Sequence, residues 1–165
     1  MPRVFIGIGS NVDRENSIRG AVRELAALYS PLTLSPVYES KAHGFEGDNF
    51  FNLVAGFDTT EPSERIKETI SQIESRFGRT RRENRYSART LDLDLLLYDD
   101  IVRHDSQVDL PHPDIQRYAF VLRPLADIAP DLQHPETGLT CARMWEQFGS
   151  GKQEIWKTDF DPRSC

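Results

Sequence analysis

The sequence predicts an α+β fold with a ferredoxin-like βαββαβ core, a sheet with helices packed on one face, and helical and irregular additions toward the C-terminal end. Two observations support this fold class. Apolar residues recur at helical spacing in two segments, and strand-like apolar runs surround them in the order strand, helix, strand, strand, helix, strand. The chain has 165 residues, of which 38% are hydrophobic, so we expect a single domain over residues 1–165.

The first half of the predicted core begins with a buried strand over residues 4–8, an apolar run that ends at a Gly-Ser-Asn turn. Residues 33–39 are β-prone, but Pro36 lacks a backbone N–H and therefore predicts an edge strand or a bent strand. Residues 40–49 are polar and contain glycine, which is typical of an exposed loop. Between the strands, a first amphipathic helix is expected over about residues 17–29 from the spacing of Ile18, Val22 and Leu25.

The second half of the core begins with a long apolar strand over residues 50–59, which we expect to be central. A second helix should begin after a Thr60 cap and Pro62 and stop at Gly78. The last core strand covers residues 91–97, where aspartates alternate with leucines. The core stripe of the second helix consists of residues at helical spacing: Ile66, Ile70, Ile73 and Phe77.

The C-terminal additions carry weaker signals. Residues 108–110 predict one more short strand, and residues 113–148 predict helical and irregular segments punctuated by prolines. The final polar segment, residues 149–165, is expected to fray unless Trp156 and Phe160 pin it to the core.

Two aspartates in the last core strand are the most informative polar residues. Side chains alternate between the two faces of a strand, so Asp92 and Asp94 share one face, roughly 6 to 7 Å apart. Such a pair can hold one hard cation or two metal ions. The alternatives are a charged edge strand or a structural pair with Arg89. The opposite face should direct the leucines into a core: Leu91, Leu93, Leu95 and Leu97.

An arginine-rich segment precedes these aspartates, although the chain as a whole has a net charge of −6. Guanidinium groups bind phosphate oxygens, and Mg²⁺ is usually held by one or two carboxylates together with substrate phosphates. The order therefore predicts a site for a nucleoside triphosphate and its magnesium. The alternative is a solvated face, or partners for Glu74 and Glu83. The segment contains Arg76, Arg79, Arg81, Arg82, Arg85 and Arg89.

Several classes of protein are disfavoured by composition. No apolar run reaches 18 residues, and the first nine residues enter a strand-like run at once, so neither a membrane span nor a signal peptide is expected and the cytoplasm is the expected location. Cys141 and Cys165 lack Cys-x-x-Cys spacing, which argues against a disulfide scaffold or a zinc site. A pI near 5.2 argues against nucleic-acid partners.

Five motifs occur in order between residues 5 and 139. They are Gly9-Ser10-Asn11, Phe51-Asn52, Arg89-Thr90-Leu91-Asp92-Leu93-Asp94, Pro111-His112-Pro113, and the run Phe120-Val121-Leu122-Arg123-Pro124-Leu125-Ala126-Asp127-Ile128-Ala129-Pro130. Together they resemble the 6-hydroxymethyl-7,8-dihydropterin pyrophosphokinase family. The resemblance implies a folate-pathway enzyme, working as a monomer, that transfers the terminal pyrophosphate of ATP to the hydroxymethyl oxygen of a reduced pterin and releases AMP.

The resemblance also implies roles for individual residues. Asp92 and Asp94 would hold two magnesium ions, and a lone histidine, His112, would contact phosphate rather than serve only the structure. The pterin would lie between the rings of Phe50 and Phe120, with Asn52 hydrogen-bonding its edge. Arginines with catalytic roles would be Arg79, Arg81, Arg82 and Arg89. Contacts to ATP would come from Glu74, Arg79, Arg89, His112 and Tyr118. Further pterin contacts would come from Ala42, His43, Gly44 and Phe45.

Some positions depart from the family pattern. Tyr118 stands where an arginine is usual, and Arg117 comes one residue earlier. Tyr86 stands where a tryptophan is frequent, and the loop after residue 40 lacks the usual Pro-rich stretch. Two rival functions therefore stay open: another Mg-dependent phosphoryl or nucleotidyl transferase that acts on a different acceptor, and a non-catalytic ferredoxin-like binding module.

Overall fold

The computed structural model describes residues 1–41, 48–77, 91–149 and 153–163. The strands are β1 (Arg3–Ser10), β2 (Thr33–Leu34), β3 (Tyr38–Ser40), β4 (Phe50–Asp58), β5 (Asp92–Tyr98), β6 (Arg103–His104), β7 (Asp109–Leu110) and β8 (Ile155–Lys157). The helices are α1 (Arg14–Leu28), α2 (Ser63–Arg76), α3 (Asp114–Arg117), α4 (Ala119–Ile128) and α5 (Cys141–Gln147). None of the described helices is long and apolar enough to cross a membrane.

The main sheet has the strand order β5-β1-β4-β3-β8, and β2 also pairs with β4. All of these pairings are antiparallel. The order of elements from β1 to β5 confirms the predicted α+β class with its βαββαβ core, and β4 is central as expected. The predicted strand over residues 33–39 is divided into β2 and β3 on either side of Pro36, which cannot donate to a neighbouring strand.

The apolar layer on one face of the sheet is formed with α1 and α2. Burying each large aliphatic side chain contributes about 1.5 to 3 kcal/mol, so this layer supplies much of the fold's stability. The largest fully buried residues of the two helices are Ile18, Leu25, Ile66 and Ile73, and they belong to one cluster with Val4, Ile6 and Leu53 of the sheet.

The opposite face of the sheet is covered by the C-terminal helices. Val121, Leu122 and Leu125 of α4 belong to a second cluster with Phe5 of β1 and Val54 of β4. The two helices of the βαββαβ core thus share one face as predicted, and the C-terminal additions form a third layer on the other.

Leu97 is on the opposite side from the one predicted. The register pairs Phe5 with Leu97 but Ile6 with Leu95, so Leu96 is an extra residue in β5. This irregularity interrupts the alternation of side chains. Leu93 and Leu95 therefore join the α1–α2 layer as expected, whereas Leu97 joins the layer formed with α4.

The helix ends differ from the predictions. Helix α1 begins at Arg14, before the predicted residue 17, following Asp13 in a left-handed conformation. The N-cap of α2 is Pro62 and not the predicted Thr60, and no described side chain caps this helix. The described part of α2 ends at Arg76, and the predicted stop at Gly78 lies outside the described residues.

Residues 153–163 are anchored to the sheet. Strand β8 pairs with β3, and the Thr158 N–H donates to the Val37 carbonyl at 2.9 Å. The Phe160 ring stacks on Phe51 with a centroid distance of 5.3 Å. Trp156 is 43% exposed, so Phe160 is the aromatic residue that anchors this segment.

A histidine links the β6–β7 hairpin to a later turn and makes stability depend on pH. The His104 Nδ1 hydrogen-bonds Asp109, and its Nε2 lies 3.1 Å from Glu136 Oε1. These contacts, chiefly the one with Asp109, raise the pKa of His104 above 6.5. The stabilisation is complete below about pH 6.5 and is lost as pH rises through the raised folded-state pKa.

We therefore expect His104→Gln to lower the free energy of unfolding at about pH 6 and to approach the wild type at higher pH. Urea unfolding of both proteins across this range measures the difference. Added salt should reduce the difference, since His104 and its carboxylates are exposed. A constant difference at every pH contradicts the assignment.

Candidate active site

Polar and small residues lie side by side across three strands on the face covered by α4. The register pairs Gly9 of β1 with Asp92 of β5 and with Asn52 of β4. Two residues along, Gly7 pairs with Asp94. Asp92, Asp94 and Asn52 alternate with residues of the α1–α2 layer, so all three face the same side as α4. The predicted common face of the two aspartates is therefore present.

Gly9 keeps space open between Asp92 and Asn52. A Cβ atom built on Gly9 would lie 3.4 Å from Asn52 Oδ1, so any longer side chain would enter the space beside the amide. Asp92, Gly9 and Asn52 therefore form a row across the sheet, with a carboxylate on one side of Gly9 and an amide on the other. Sequence analysis used Gly9 only as part of a turn motif and did not predict this role.

Asp94 has a histidine neighbour from a distant part of the chain. Asp94 Oδ1 lies 3.8 Å from His112 Nε2, and the Asp94 side chain is 39% exposed. The His112 Nδ1 accepts a hydrogen bond from the Asp114 N–H at 3.1 Å. Burial lowers the pKa of His112. Burial therefore favours the neutral ring, and the hydrogen bond to Nδ1 favours the tautomer with its proton on Nε2, the atom that faces Asp94.

Asp94, His112 and Asp114 together form a group of potential metal ligands whose atoms lie within 4.8 Å of one another. Sequence analysis did not predict Asp114. Its only signal was its position two residues after His112. The backbone hydrogen bond occupies Nδ1, so on the open side the Asp94 carboxylate can bind a cation and the Nε2–H of His112 can donate to an anion.

A cleft of about 250 Å³ adjoins Asp94 at the outer edge of the sheet. Strand β5 is the terminal strand of the described sheet, so this cleft lies between its edge, α2 and the β7 region. The Glu74 carboxylate accepts a hydrogen bond from the Leu93 N–H at 2.8 Å, which joins α2 to β5. The residues that line the cleft include Lys67, Ser71, Glu74, Asp94, Leu95 and His112.

Asn52 is buried and held by two acceptors. Its Nδ2 donates to Ser40 Oγ at 2.8 Å and to the Tyr38 carbonyl at 3.3 Å. Because both contacts use the amide nitrogen, the oxygen is the group that faces the Gly9 position. Sequence analysis predicted Asn52 but not Ser40, which follows from the pairing of β3 with β4.

The two predicted ring residues come from different layers. Phe50 lies at the start of β4, two residues before Asn52, and therefore faces the same side. Phe120 lies in the first turn of α4. Its ring stacks on Tyr118 with a centroid distance of 4.9 Å and an interplanar angle of 20°. Tyr118 thus lies against a predicted substrate residue.

Several predicted site residues lie outside the described residues: Ala42, His43, Gly44, Phe45, Arg79, Arg81, Arg82 and Arg89. Arg76, the first arginine of the segment, is described. Its guanidinium forms an ion pair with Glu24 at 2.6 Å, so Arg76 has a structural role.

Comparisons of sequence and of structure with known proteins point to one family. A sequence model of the 7,8-dihydro-6-hydroxymethylpterin-pyrophosphokinase (HPPK) family matches residues 5–130. The chain is 36% identical over 137 residues to the 2-amino-4-hydroxy-6-hydroxymethyldihydropteridine pyrophosphokinase of Aquifex aeolicus, covering 82% of this chain and 85% of that protein. It is 35% identical over 151 residues to the protein of the same name from Bacillus subtilis, covering 87% and 90%.

The fold is also similar to that of a crystal structure of Plasmodium falciparum HPPK-DHPS with pterin and p-hydroxybenzoate. The TM-score is 0.66 at 12% identity, and the match covers 89% of this chain and 43% of that chain. This likeness supports the fold, and the chain spans less than half of that larger protein. With the sequence matches over most of its length, the chain belongs to the 7,8-dihydro-6-hydroxymethylpterin-pyrophosphokinase family.

Proposed function

We propose that this protein transfers the terminal pyrophosphate of ATP to the hydroxymethyl oxygen of 6-hydroxymethyl-7,8-dihydropterin, giving AMP and the pterin pyrophosphate, a step of folate biosynthesis. Family membership over residues 5–130 supports the reaction. The observation that carries the proposal is the row of Asp92, Gly9 and Asn52 on one face of the sheet. It puts carboxylates suited to phosphate-bound metal beside an amide suited to a heterocycle.

Asp92 and Asp94 are proposed to hold two magnesium ions. The donor set fits, since Mg²⁺ prefers oxygen ligands and completes its shell with water and substrate phosphates. Gly7 and Gly9, which face the aspartates from β1, put no side chain into that space. When bound, the ions would neutralise phosphate charge and align the attacking and leaving oxygens.

ATP is proposed to enter the cleft at the edge of β5. Its phosphates would lie toward Asp94, where the Nε2–H of His112 can donate a hydrogen bond to a phosphate oxygen. Glu74 lines the cleft and holds β5 in place through Leu93, so it supports the nucleotide site from α2. Tyr118 and the predicted arginines Arg79, Arg81, Arg82 and Arg89 would complete the phosphate contacts.

The pterin is proposed to lie over Gly9 between the rings of Phe50 and Phe120. The Asn52 oxygen would accept a hydrogen bond from the N–H edge of the heterocycle, because the amide nitrogen already donates to Ser40 and Tyr38. Residues 42–45 would add further contacts to the pterin. Flat ligands with polar edges need this combination of two ring faces and a directional amide.

The proposal takes residues 1–165 as a single domain that acts as a monomer. The cytoplasm is the proposed location of the protein. The two rival functions predict different products. A simple kinase would release ADP, and a binding module would leave both ligands unchanged.

The direct test is incubation of the protein with Mg-ATP and 6-hydroxymethyl-7,8-dihydropterin, with products identified by mass. We expect AMP and the pterin pyrophosphate in equal amounts, and neither product when the pterin is omitted. The Asp94→Asn variant is the matched negative control, because it keeps side-chain volume and loses the anionic ligand. ADP as the nucleotide product, or binding without turnover, contradicts the proposal.

Replacing Ser40 with alanine should weaken pterin binding selectively. The change removes the 2.8 Å acceptor of the Asn52 amide and leaves only the longer contact with the Tyr38 carbonyl at 3.3 Å, so the amide is less firmly oriented. A net hydrogen bond of about 1 kcal/mol corresponds to a rise of about fivefold in the pterin dissociation constant, with ATP affinity unchanged.

Ser35→Ala is the control for that variant. Ser35 is also buried, and its hydroxyl accepts from the Val54 N–H on the same strand as Asn52, but it does not contact the Asn52 amide. Titration of both variants with each ligand separates the effects. Equal losses of pterin affinity in the two variants would show a general weakening of β4 instead.

A further inference from the structure

Helix α4 begins without a capping side chain of its own. Its N-cap residue, Tyr118, has an extended backbone with φ −126° and ψ 126°, and makes no side-chain cap hydrogen bond. The first N–H groups of a helix need acceptors, which Ser, Thr, Asp or Asn usually supply at this position. The tyrosine ring cannot reach back to them. The Tyr118 carbonyl accepts from the Val121 and Leu122 N–H groups, and the Ala119 N–H at the start of α4 uses an acceptor from outside the helix.

Gln153 supplies that acceptor from far along the chain. Its Oε1 accepts a hydrogen bond from the Ala119 N–H at 2.9 Å, and its Nε2 donates to the Arg117 carbonyl at 2.8 Å. One carboxamide thus pairs with the backbone on both sides of Tyr118, as the peptide group of a neighbouring strand would. The two bonds fix the bend between α3 and α4.

Gln153 is itself held in place by the segment that follows it. Strand β8 begins two residues later and pairs with β3, with Ile155 opposite Ser40. Glu154 pairs with Lys41 at 3.1 Å, though both side chains are exposed. The same segment therefore supports Ser40, which orients Asn52, and the start of α4, which carries Phe120.

A second contact fixes the other end of α4 to β3. The Tyr38 hydroxyl donates to Asp127, and Arg123 Nε donates to the same hydroxyl at 3.2 Å. With this end anchored, the two Gln153 hydrogen bonds act together with the packing of Val121 and Leu122 to hold the first turn of α4 on the sheet. Phe120 is the second residue of that turn, and its ring stacks on Tyr118.

We propose that Gln153 is a positioning residue for pterin binding, which it serves by capping α4 from outside the helix and thereby orienting Phe120. The inference rests on the proposed placement of the pterin against Phe120. It extends the functional part of the chain beyond residues 5–130, the range that matches the family.

Gln153→Ala and Gln153→Glu test the proposal, with Glu154→Ala as the matched control. The alanine variant removes both hydrogen bonds. The glutamate variant keeps the side-chain volume and the acceptor for Ala119 but faces the Arg117 carbonyl with a second acceptor. The control breaks the neighbouring exposed ion pair and leaves Gln153 intact. Each protein is titrated with the pterin and with Mg-ATP, and amide exchange is measured over residues 119–122.

Both Gln153 variants should raise the pterin dissociation constant by about three- to tenfold and leave that of Mg-ATP within about twofold. Amide exchange over residues 119–122 should quicken in both, while the control matches the wild type. Unchanged pterin affinity in the glutamate variant, or equal losses for both ligands, overturns the proposal. Faster amide exchange with unchanged pterin affinity also overturns the proposal. A separate Phe120→Ala variant, titrated with the pterin, then shows whether the proposed placement of the pterin against Phe120 fails as well.

Discussion

Replacing Asp92 or Asp94 with asparagine should remove most turnover and leave the fold intact. Each change deletes an anionic oxygen from the proposed magnesium site. Losing a residue that only supports a metal ligand typically costs about 10- to 100-fold, so losing a direct ligand should cost more than about 100-fold. Because the two carboxylates share one face of β5, neutralising one also relieves repulsion, and the free energy of unfolding should hold or rise.

The control for these variants is Asp100→Asn, in the turn after β5. Asp100 is exposed and lies away from the row on the sheet, yet the chemical change is the same. Turnover is measured over a range of magnesium concentrations, and stability by urea unfolding. Near-normal turnover of either active-site variant at ordinary magnesium concentrations contradicts the metal assignment. Loss of turnover together with a large loss of stability would indicate a structural role instead.

The parts of the site that sequence alone could place are those set by strand periodicity. Asp92 and Asp94 share a face because successive side chains alternate, and this needs no knowledge of the partner strand. The same rule failed at Leu97, because the extra residue Leu96 breaks the register with β1. Such an irregularity depends on how two strands pair, and neither strand shows it alone.

Contacts between distant segments were the parts that the sequence did not reveal. Ser40 orients Asn52 only because β3 pairs with β4, and Glu74 reaches Leu93 only because α2 packs beside the edge of β5. Gln153 lies in a polar segment that we expected to fray unless Trp156 and Phe160 pinned it, and nothing in its sequence indicated a contact with α4. Side-chain amides and hydroxyls carry no periodic signal, so their partners become visible only once the fold is known.

The layer formed by the C-terminal helices explains why the site lies where it does. Helix α4 covers the sheet with Val121, Leu122 and Leu125, while Phe120 in its first turn is only partly buried. The part of the sheet that α4 covers belongs to the hydrophobic core. Asp92, Gly9 and Asn52 lie on the same strands and the same face, next to this covered part. One element therefore closes the core and contributes a wall of the proposed pterin site.

Replacing Phe120 with alanine should weaken pterin binding far more than ATP binding. Stacking of a flat heterocycle on an aromatic ring is worth about 1 to 3 kcal/mol, which corresponds to a rise of about 5- to 150-fold in the dissociation constant. ATP is proposed to contact the edge of β5 instead, so its affinity should change by less than about threefold. Fluorescence titration with the pterin and calorimetry with Mg-ATP measure the two constants.

Phe148→Ala is the matched control for Phe120→Ala, since Phe148 is also a partly buried ring packed against the same apolar cluster. It stacks on Trp145 at 5.7 Å, and truncating it should cost comparable packing without touching the proposed pterin site. Phe120→Leu adds a second comparison, because leucine keeps apolar volume and lacks a ring face. If Phe120→Leu binds the pterin as the wild type does, the ring does not stack on substrate. Equal losses for pterin and ATP in the alanine variant would place Phe120 in the core instead.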